Sequence, residues 1–222
     1  MKIETVSLVG SGNIAHWLVY ALKKADVDIR QIYSRQLDHA KELAAKAGAD
    51  AIDNLRDLSP DSDLYIFSVK DDSYETLLSQ LPFRLPLAVH TAGSLSIRIF
   101  EPYADSYGIL YPYQSLNKNM DFANVEVPLS VESNDKMVEN ELFAFAGRLS
   151  STVQLMGEAQ RLSSALKCVS KGRAAAPPGL DTSMGVSTSM KPCASRKRRM
   201  QEMIFDRLIK VSFTSGFMIR ST

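Results

Sequence analysis

Cysteine is nearly absent. The 222 residues include two, Cys168 and Cys193, too few for a disulfide framework and in keeping with a reducing, cytoplasmic setting. No pair of Cys or His stands at zinc-ligand spacing, so no metal is expected. No period recurs, which excludes collagen-like, coiled-coil and repeat architectures. An excess of one charge is missing too: 26 Lys plus Arg face 25 Asp plus Glu, so the whole-chain charge points to no anionic partner. A long apolar run is also lacking. Thr5 to Leu22 carries no formal charge, which approaches the length of a membrane span. However, Ser7, Gly10, Ser11, Gly12, Asn13 and His16 interrupt it, and Glu4 spoils a basic leader. The stretch reads as strand, tight turn and helix rather than signal peptide or anchor, and no membrane partner is expected.

What is present is a globular composition, 45% hydrophobic and 23% charged, laid out in two unlike parts. Residues 1–160 carry 14 basic and 22 acidic side chains, and residues 161–222 carry 12 basic and 3 acidic. Texture changes at the same place. No aromatic lies between Phe145 and Phe205, and Ser, Thr, Gly and Pro crowd 163–195 before the basic run Arg196-Lys197-Arg198-Arg199. The expected division is a domain over 1–157 and a basic, low-aromatic tail over 158–222. That tail has no sustained apolar period to build a core, and 162–203 are expected to be disordered or loosely attached.

The first part alternates strands and helices. Strands are expected over Lys2–Val9, Ile29–Tyr33, Ala49–Ile52, Leu64–Val69, Leu87–Thr91, Ile109–Tyr111, Val125–Val131 and Thr152–Met156. Helices are expected over Asn13–Lys24, Leu37–Ala47 (closed by Gly48), Ser73–Leu81 and Lys136–Leu149. The near-continuous apolar run at 64–69 suits a strand covered on both faces. The alternation predicts an α/β fold, a doubly wound, mostly parallel sheet of the Rossmann type, followed by an atypical basic C-terminal tail.

The first turn carries the strongest chemistry. Gly10-Ser11-Gly12-Asn13-Ile14-Ala15 is a G-x-G-x-x-A sequence between an expected strand and an expected helix. The first glycine allows a tight turn, the second lets a pyrophosphate approach the backbone, and the helix start offers free N–H groups. The plain alternative is an ordinary glycine-rich turn. At the end of the second strand an NAD site usually places an acid on the ribose hydroxyls. Here Ser34-Arg35 stands instead, a hydroxyl and a guanidinium that suit the 2′-phosphate of NADP. The alternative is a solvated surface arginine.

Later strand ends add candidates. Ser68-Val69-Lys70-Asp71 ends the central strand, with Val69 expected beside a cofactor ribose. His90-Thr91-Ala92-Gly93-Ser94 ends the next, and His90 is the first candidate for a proton donor. Its alternative is a histidine satisfied by neighbouring backbone. Tyr111-Pro112-Tyr113-Gln114-Ser115-Leu116-Asn117-Lys118 is a polar-aromatic loop that either lines a pocket over the nicotinamide or is simply well hydrogen-bonded. Ser94, Tyr111 and Gln114 are the expected orienting groups.

Taken together, the segments 6–15, 33–35, 90–94 and 111–115 resemble a group of bacterial Rossmann-like proteins that continue into a helical domain of unknown function. That group is similar to pyrroline-5-carboxylate reductases and to deazaflavin-dependent NADP oxidoreductases. The resemblance covers about residues 1–161. It implies an NADP-type nucleotide fold and oxidoreductase activity, with no substrate named. Members of the group continue after a Glu-x-Gln-Arg-like segment, here Glu158-Ala159-Gln160-Arg161, into helices that pair subunits and close the active site. A homodimer is therefore expected only with an intact helical domain. Here pattern and charge balance are lost together, which reads as a shifted reading frame or a truncated remnant. A disordered basic tail or an unrecognised helical domain are the alternatives.

Three functions remain open. The first is an NADP-dependent oxidoreductase acting by hydride transfer on a small imine or carbonyl acid. The second is a nucleotide-sensing module without catalysis. The third is an interaction protein whose basic tail binds nucleic acid, although a lone charge run is more often a solvated face.

Overall fold

The computed structural model describes residues 2–161. Residues 162–222 of the expected basic tail, with the Arg196–Arg199 run and both cysteines, lie outside the described residues.

The chain opens with β1 (Thr5–Val9), α1 (Asn13–Lys24), β2 (Asp28–Tyr33), α2 (Leu37–Ala47) and β3 (Asp50–Ile52). It continues with β4 (Leu64–Phe67), α3 (Tyr74–Leu78), β5 (Leu85–His90) and β6 (Ala104–Pro112). The last elements are β7 (Leu129–Ser133), α4 (Lys136–Leu149) and β8 (Val153–Leu155). Eight strands form one sheet in the order β3-β2-β1-β4-β5-β6-β7-β8. Every pairing is parallel except β6 with β7. The order reverses direction at β1, the switch point where ligands of doubly wound sheets bind beyond the strand ends.

Both faces of the sheet are covered, and strand side chains alternate between two cores. In β4, Leu64 and Ile66 join one core with Trp17, Leu18 and Leu22 of α1 and Phe145 of α4. Tyr65 and Phe67 of β4 join the other with Tyr74, Leu77 and Phe100. A strand buried on both faces is why this segment reads as a continuous apolar run.

Local chemistry sets the helix ends. Asp135 caps α4, its carboxylate accepting from Met137 N–H at 2.8 Å and Val138 N–H at 3.0 Å. Gly48 ends α2 in the left-handed region at φ 77°. At α1 the cap is Gly12, with no side chain to satisfy the first-turn N–H groups.

Several expected bounds shift. β6 runs nine residues rather than the three expected at 109–111. It reaches back to Ala104 because both its neighbours, β5 and β7, lend it ladder bonds. β7 starts at Leu129 rather than Val125, because residues 122–124 wind into a 3-10 turn and Pro128 has no N–H to give a ladder. The helix expected over 73–81 shortens to Tyr74–Leu78, preceded by a 3-10 turn over Asp71–Ser73. Just after the domain edge expected at 157, Ser96 Oγ donates to Glu158 Oε2 at 2.8 Å, and Arg161 pairs with Glu132 at 2.7 Å. Among the described residues no helix is long and apolar enough to cross a membrane, and no cluster of His, Cys, Asp and Glu is placed to hold a metal.

Candidate functional site

The ends of β1, β2 and β4 open onto a cleft of about 810 Å³. The glycine-rich turn forms its floor. Gly10 N–H donates to Tyr33 O at 2.9 Å and Ser68 N–H donates to Val9 O at 2.8 Å, so the turn is bonded to both flanking strands. Gly10 sits at φ 126°, and a Cβ there would lie 2.2 Å from the Ser68 carbonyl oxygen. Glycine is required here by backbone and by space together. Gly12 differs: its backbone is ordinary and extended, and a Cβ would meet no protein atom within 4 Å. The room beside Gly12 belongs to the cleft, next to the uncapped start of α1. That is the space a pyrophosphate needs.

The expected cofactor residues converge. Gly10, Ser11, Gly12, Asn13, Ser34, Arg35 and Val69 all line the cleft. Ile14 does not. Its side chain packs partly against the core, which leaves only its first-turn N–H toward a ligand. Ser34 is nearly buried and accepts from Ser11 Oγ at 2.8 Å and from Gln36 N–H at 3.3 Å. With two donors already on its oxygen, its own hydroxyl proton is free to point at an anion. Arg35 is exposed beside it and forms no ion pair among the described residues.

The four expected catalytic side chains do not line this cleft. Ser94 donates to the Asp71 carboxylate, and Asp71 directly follows the cleft residue Lys70. Tyr111 lies over Gly93, where a Cβ would be 2.8 Å from the ring. It also meets Tyr113 edge-on, with ring centroids 5.4 Å apart. Gln114 is exposed in the loop that follows. Tyr111, near the end of β6, thus packs beside Gly93, the residue before Ser94, while Gln114 stands apart.

His90 is buried and bonded to neighbouring backbone. Its side chain has no exposure and is enclosed by Tyr74, 5.9 Å away edge-on, and Phe100, 5.8 Å away. Nδ1 accepts from Ala92 N–H at 3.2 Å, so the proton of the neutral ring belongs on Nε2. Burial, followed by the nearby Arg161 charge, pushes its pKa down to about 3. The ring is thus walled by aromatics and held neutral, and its bond to Ala92 ties it to the turn at 91–92.

Other residues of the cleft carry no individual role in the sequence pattern, although Lys70 and Lys118 lie in candidate segments. His16 and Lys118 line it, as do Lys70, His39 and Glu42. The helix period signals part of this, since His16 falls one turn after Gly12 and His39 and Glu42 are three apart. Nothing in the spacing signals Arg161, whose guanidinium is fully buried and donates to Glu132 Oε2 at 2.7 Å and to Leu95 O at 2.9 Å.

Residues 5–89 match the family described as NADP oxidoreductase, coenzyme F420-dependent. No curated protein matches the chain. Among solved structures, a protein from Bacteroides fragilis provisionally named an NADP oxidoreductase shares 32% identity at a TM-score of 0.70, over 77% of this chain and 68% of that one. A pyrroline-5-carboxylate reductase from Streptococcus pyogenes is 14% identical at a TM-score of 0.59, covering 98% of this chain and 81% of its own. An imine reductase from Myxococcus stipitatus in complex with NADP+ is 21% identical at 0.55, covering 74% and 59%. The last two show a shared fold. The first shares about one residue in three across most of both chains, and the chain accordingly belongs to the family of NADP oxidoreductases described as coenzyme F420-dependent.

Proposed function

We propose that the cleft binds a nicotinamide dinucleotide, NADP in preference to NAD, and that the chain acts as an oxidoreductase on a small imine or carbonyl acid. The observation that carries the reading is the pairing of two features. Open space at Gly12 faces an uncapped helix start, and Ser34-Arg35 rather than an acid follows β2. The first-turn N–H groups of Asn13, Ile14 and Ala15 receive the pyrophosphate. Ser34 and Arg35 take the 2′-phosphate, and Val69 lies along the cofactor at the end of β4. When bound, the nicotinamide supplies the hydride chemistry. In this reading Ser94, Tyr111 and Gln114 orient the substrate, a role supported by Tyr111 packing beside the Gly93-Ser94 turn.

Calorimetric titration with NADPH and NADH tests the cofactor assignment. Replacing Arg35 by Ala removes roughly 1.5–3 kcal/mol of NADPH binding, the range for a hydrogen bond to a charged group, and spares NADH. Equal affinities for both cofactors in the parent chain would sink the NADP preference. The second reading, a nucleotide sensor without catalysis, is favoured by the absence of the four candidate catalytic side chains from the cleft lining. NADPH oxidation across a panel of cyclic imines and keto acids separates the two.

A further inference from the structure

The loop between β6 and β7, residues 113–128, is far longer than a hairpin needs. It closes at its base, where Tyr113 N–H donates to Pro128 O at 2.7 Å. Between those ends it crosses to α1. Phe122 packs on Tyr20 of α1, ring centroids 6.0 Å apart, and Leu116 and Val125 rest on the α1 core. A tight turn over 117–120, with Met120 N–H donating to Asn117 O at 3.0 Å, precedes that contact. From this turn Lys118 N–H donates to the Asn13 side-chain oxygen at 3.1 Å. A residue 105 positions away in sequence is thus tied to the first residue of α1, at the rim of the space left by Gly12.

The charge on Lys118 is available. It lines the cleft yet forms no ion pair among the described residues. The carboxylate on that side of the cleft, Glu42, is engaged by Lys46 at 2.9 Å. Lys118 is close enough for its charge to act on both His16 and Glu42. A flexible lysine would ordinarily lose much of its benefit to side-chain ordering. Here the backbone that carries it is already fixed on both sides, by Asn13 and by the Phe122 contact.

We propose that Lys118 is a cofactor-binding residue that neutralises the pyrophosphate from above, with Asn13 as the positioning residue that holds it there. This rests on the dinucleotide reading of the cleft. The pyrophosphate would then be held by backbone N–H groups of the α1 start and by the ammonium carried on the β6–β7 loop. The loop that the sequence suggested for the nicotinamide end serves the phosphate end through its far portion.

The test uses the full chain and two probes, NADPH and ADP-ribose, which keeps the pyrophosphate but has neither nicotinamide nor 2′-phosphate. Lys118→Ala weakens both probes by about tenfold, the low end for a hydrogen bond to a charged group on an exposed side chain. Lys118→Arg restores most of the loss, and the melting temperature is unchanged in both variants. Asn13→Ala weakens both probes too, and its effect with Lys118→Ala is less than additive because one acts through the other. Unchanged ADP-ribose affinity in Lys118→Ala overturns the assignment, as does a loss confined to NADPH, which would place Lys118 on the 2′-phosphate. Strictly additive losses overturn the role of Asn13. A parent chain that binds neither probe overturns the dinucleotide reading and this one with it, and so is told apart from a failure of Lys118 alone.

Discussion

Gly10 and Gly12 flank a single serine and answer to different constraints. At Gly10 a side chain has neither an allowed backbone nor room, with the Ser68 carbonyl oxygen 2.2 Å from where Cβ would stand. Gly10→Ala combines strain at positive φ with overpacking and is expected to cost roughly 2–4 kcal/mol, read as a fall in melting temperature. At Gly12 the backbone suits any residue and the space is empty. Gly12→Val leaves the melting temperature near that of the parent while abolishing NADPH binding, because the branched side chain fills the pyrophosphate's place. Retained binding in a folded Gly12→Val chain would show that the turn does not cradle phosphate. His90 carries a pH signature. Its folded pKa, about 3, lies below the ordinary 6.5. Below pH 6.5 the unfolded chain therefore takes up a proton that the folded chain refuses. The neutral ring contributes stability that is fully present above pH 6.5 and is lost as pH falls toward 3, roughly 2 kcal/mol of it by pH 5. Glu132, whose carboxyl burial pushes upward, works in the opposite direction. Comparison with His90→Asn isolates the histidine: urea unfolding at pH 7 and pH 5 should show the larger drop in the parent chain.

Among the elements, the 3-10 turn at Ile97–Phe100 shows how a short, weakly patterned segment secures a site. Phe100 is fully buried and touches Phe67 of β4 at 5.1 Å, Tyr74 of α3 at 6.3 Å and His90 of β5 at 5.8 Å between ring centroids. It fills the space under the β4 and β5 ends, from which the Asp71–Ser94 contact rises. Phe100→Ala opens a cavity among three aromatic rings and is expected to cost roughly 3–5 kcal/mol. It also admits water to His90, so NMR titration of that imidazole in the variant should find its pKa moved up from about 3 toward 6.5. Most elements were legible as sequence. α1, α2 and α4 carry a clear helical period, and β1 and β4 are apolar runs bounded by turn residues. The short 3-10 turns and the full extent of β6 were not. The ladder of β6 is set by β5 and β7, distant in sequence, and the 3-10 turns close on bonds between residues three apart that no apolar period marks.

At the scale of the whole molecule, charge and site oppose each other. Residues 1–160 carry eight more acidic than basic side chains, yet the cleft gathers Arg35, Lys70 and Lys118 with one glutamate, Glu42. An anionic cofactor meets a positive entrance on a net-negative stretch of chain, so its binding depends on charge pairs that salt screens. Raising ionic strength from 0.01 M to 0.15 M shortens the screening length from about 30 Å to about 8 Å. NADPH affinity should fall across that range, and more steeply than NADH affinity because of the extra phosphate. A flat salt response, measured by titration at the two ionic strengths, would mean that these cations do not touch phosphate.

The sequence by itself determined the alternation of elements, the glycine turn and the Ser34-Arg35 pair. Each of these is a local property, set by spacing, by the glycine requirement at Gly10 or by residues adjacent in the chain. The doubly wound, mostly parallel sheet followed as well, because such an alternation has few ways to be wound. Only the tertiary structure decided where His90 faces. Its position at a strand end is the same whether its ring meets the cleft or the aromatic core, and the packing of Tyr74 and Phe100 chose the core. Only the tertiary structure brought Lys118 to Asn13 and Arg161 to Leu95 and Glu132. Those meetings join residues 105, 66 and 29 positions apart, and no local pattern encodes them: they follow from the order in which the strands lie side by side.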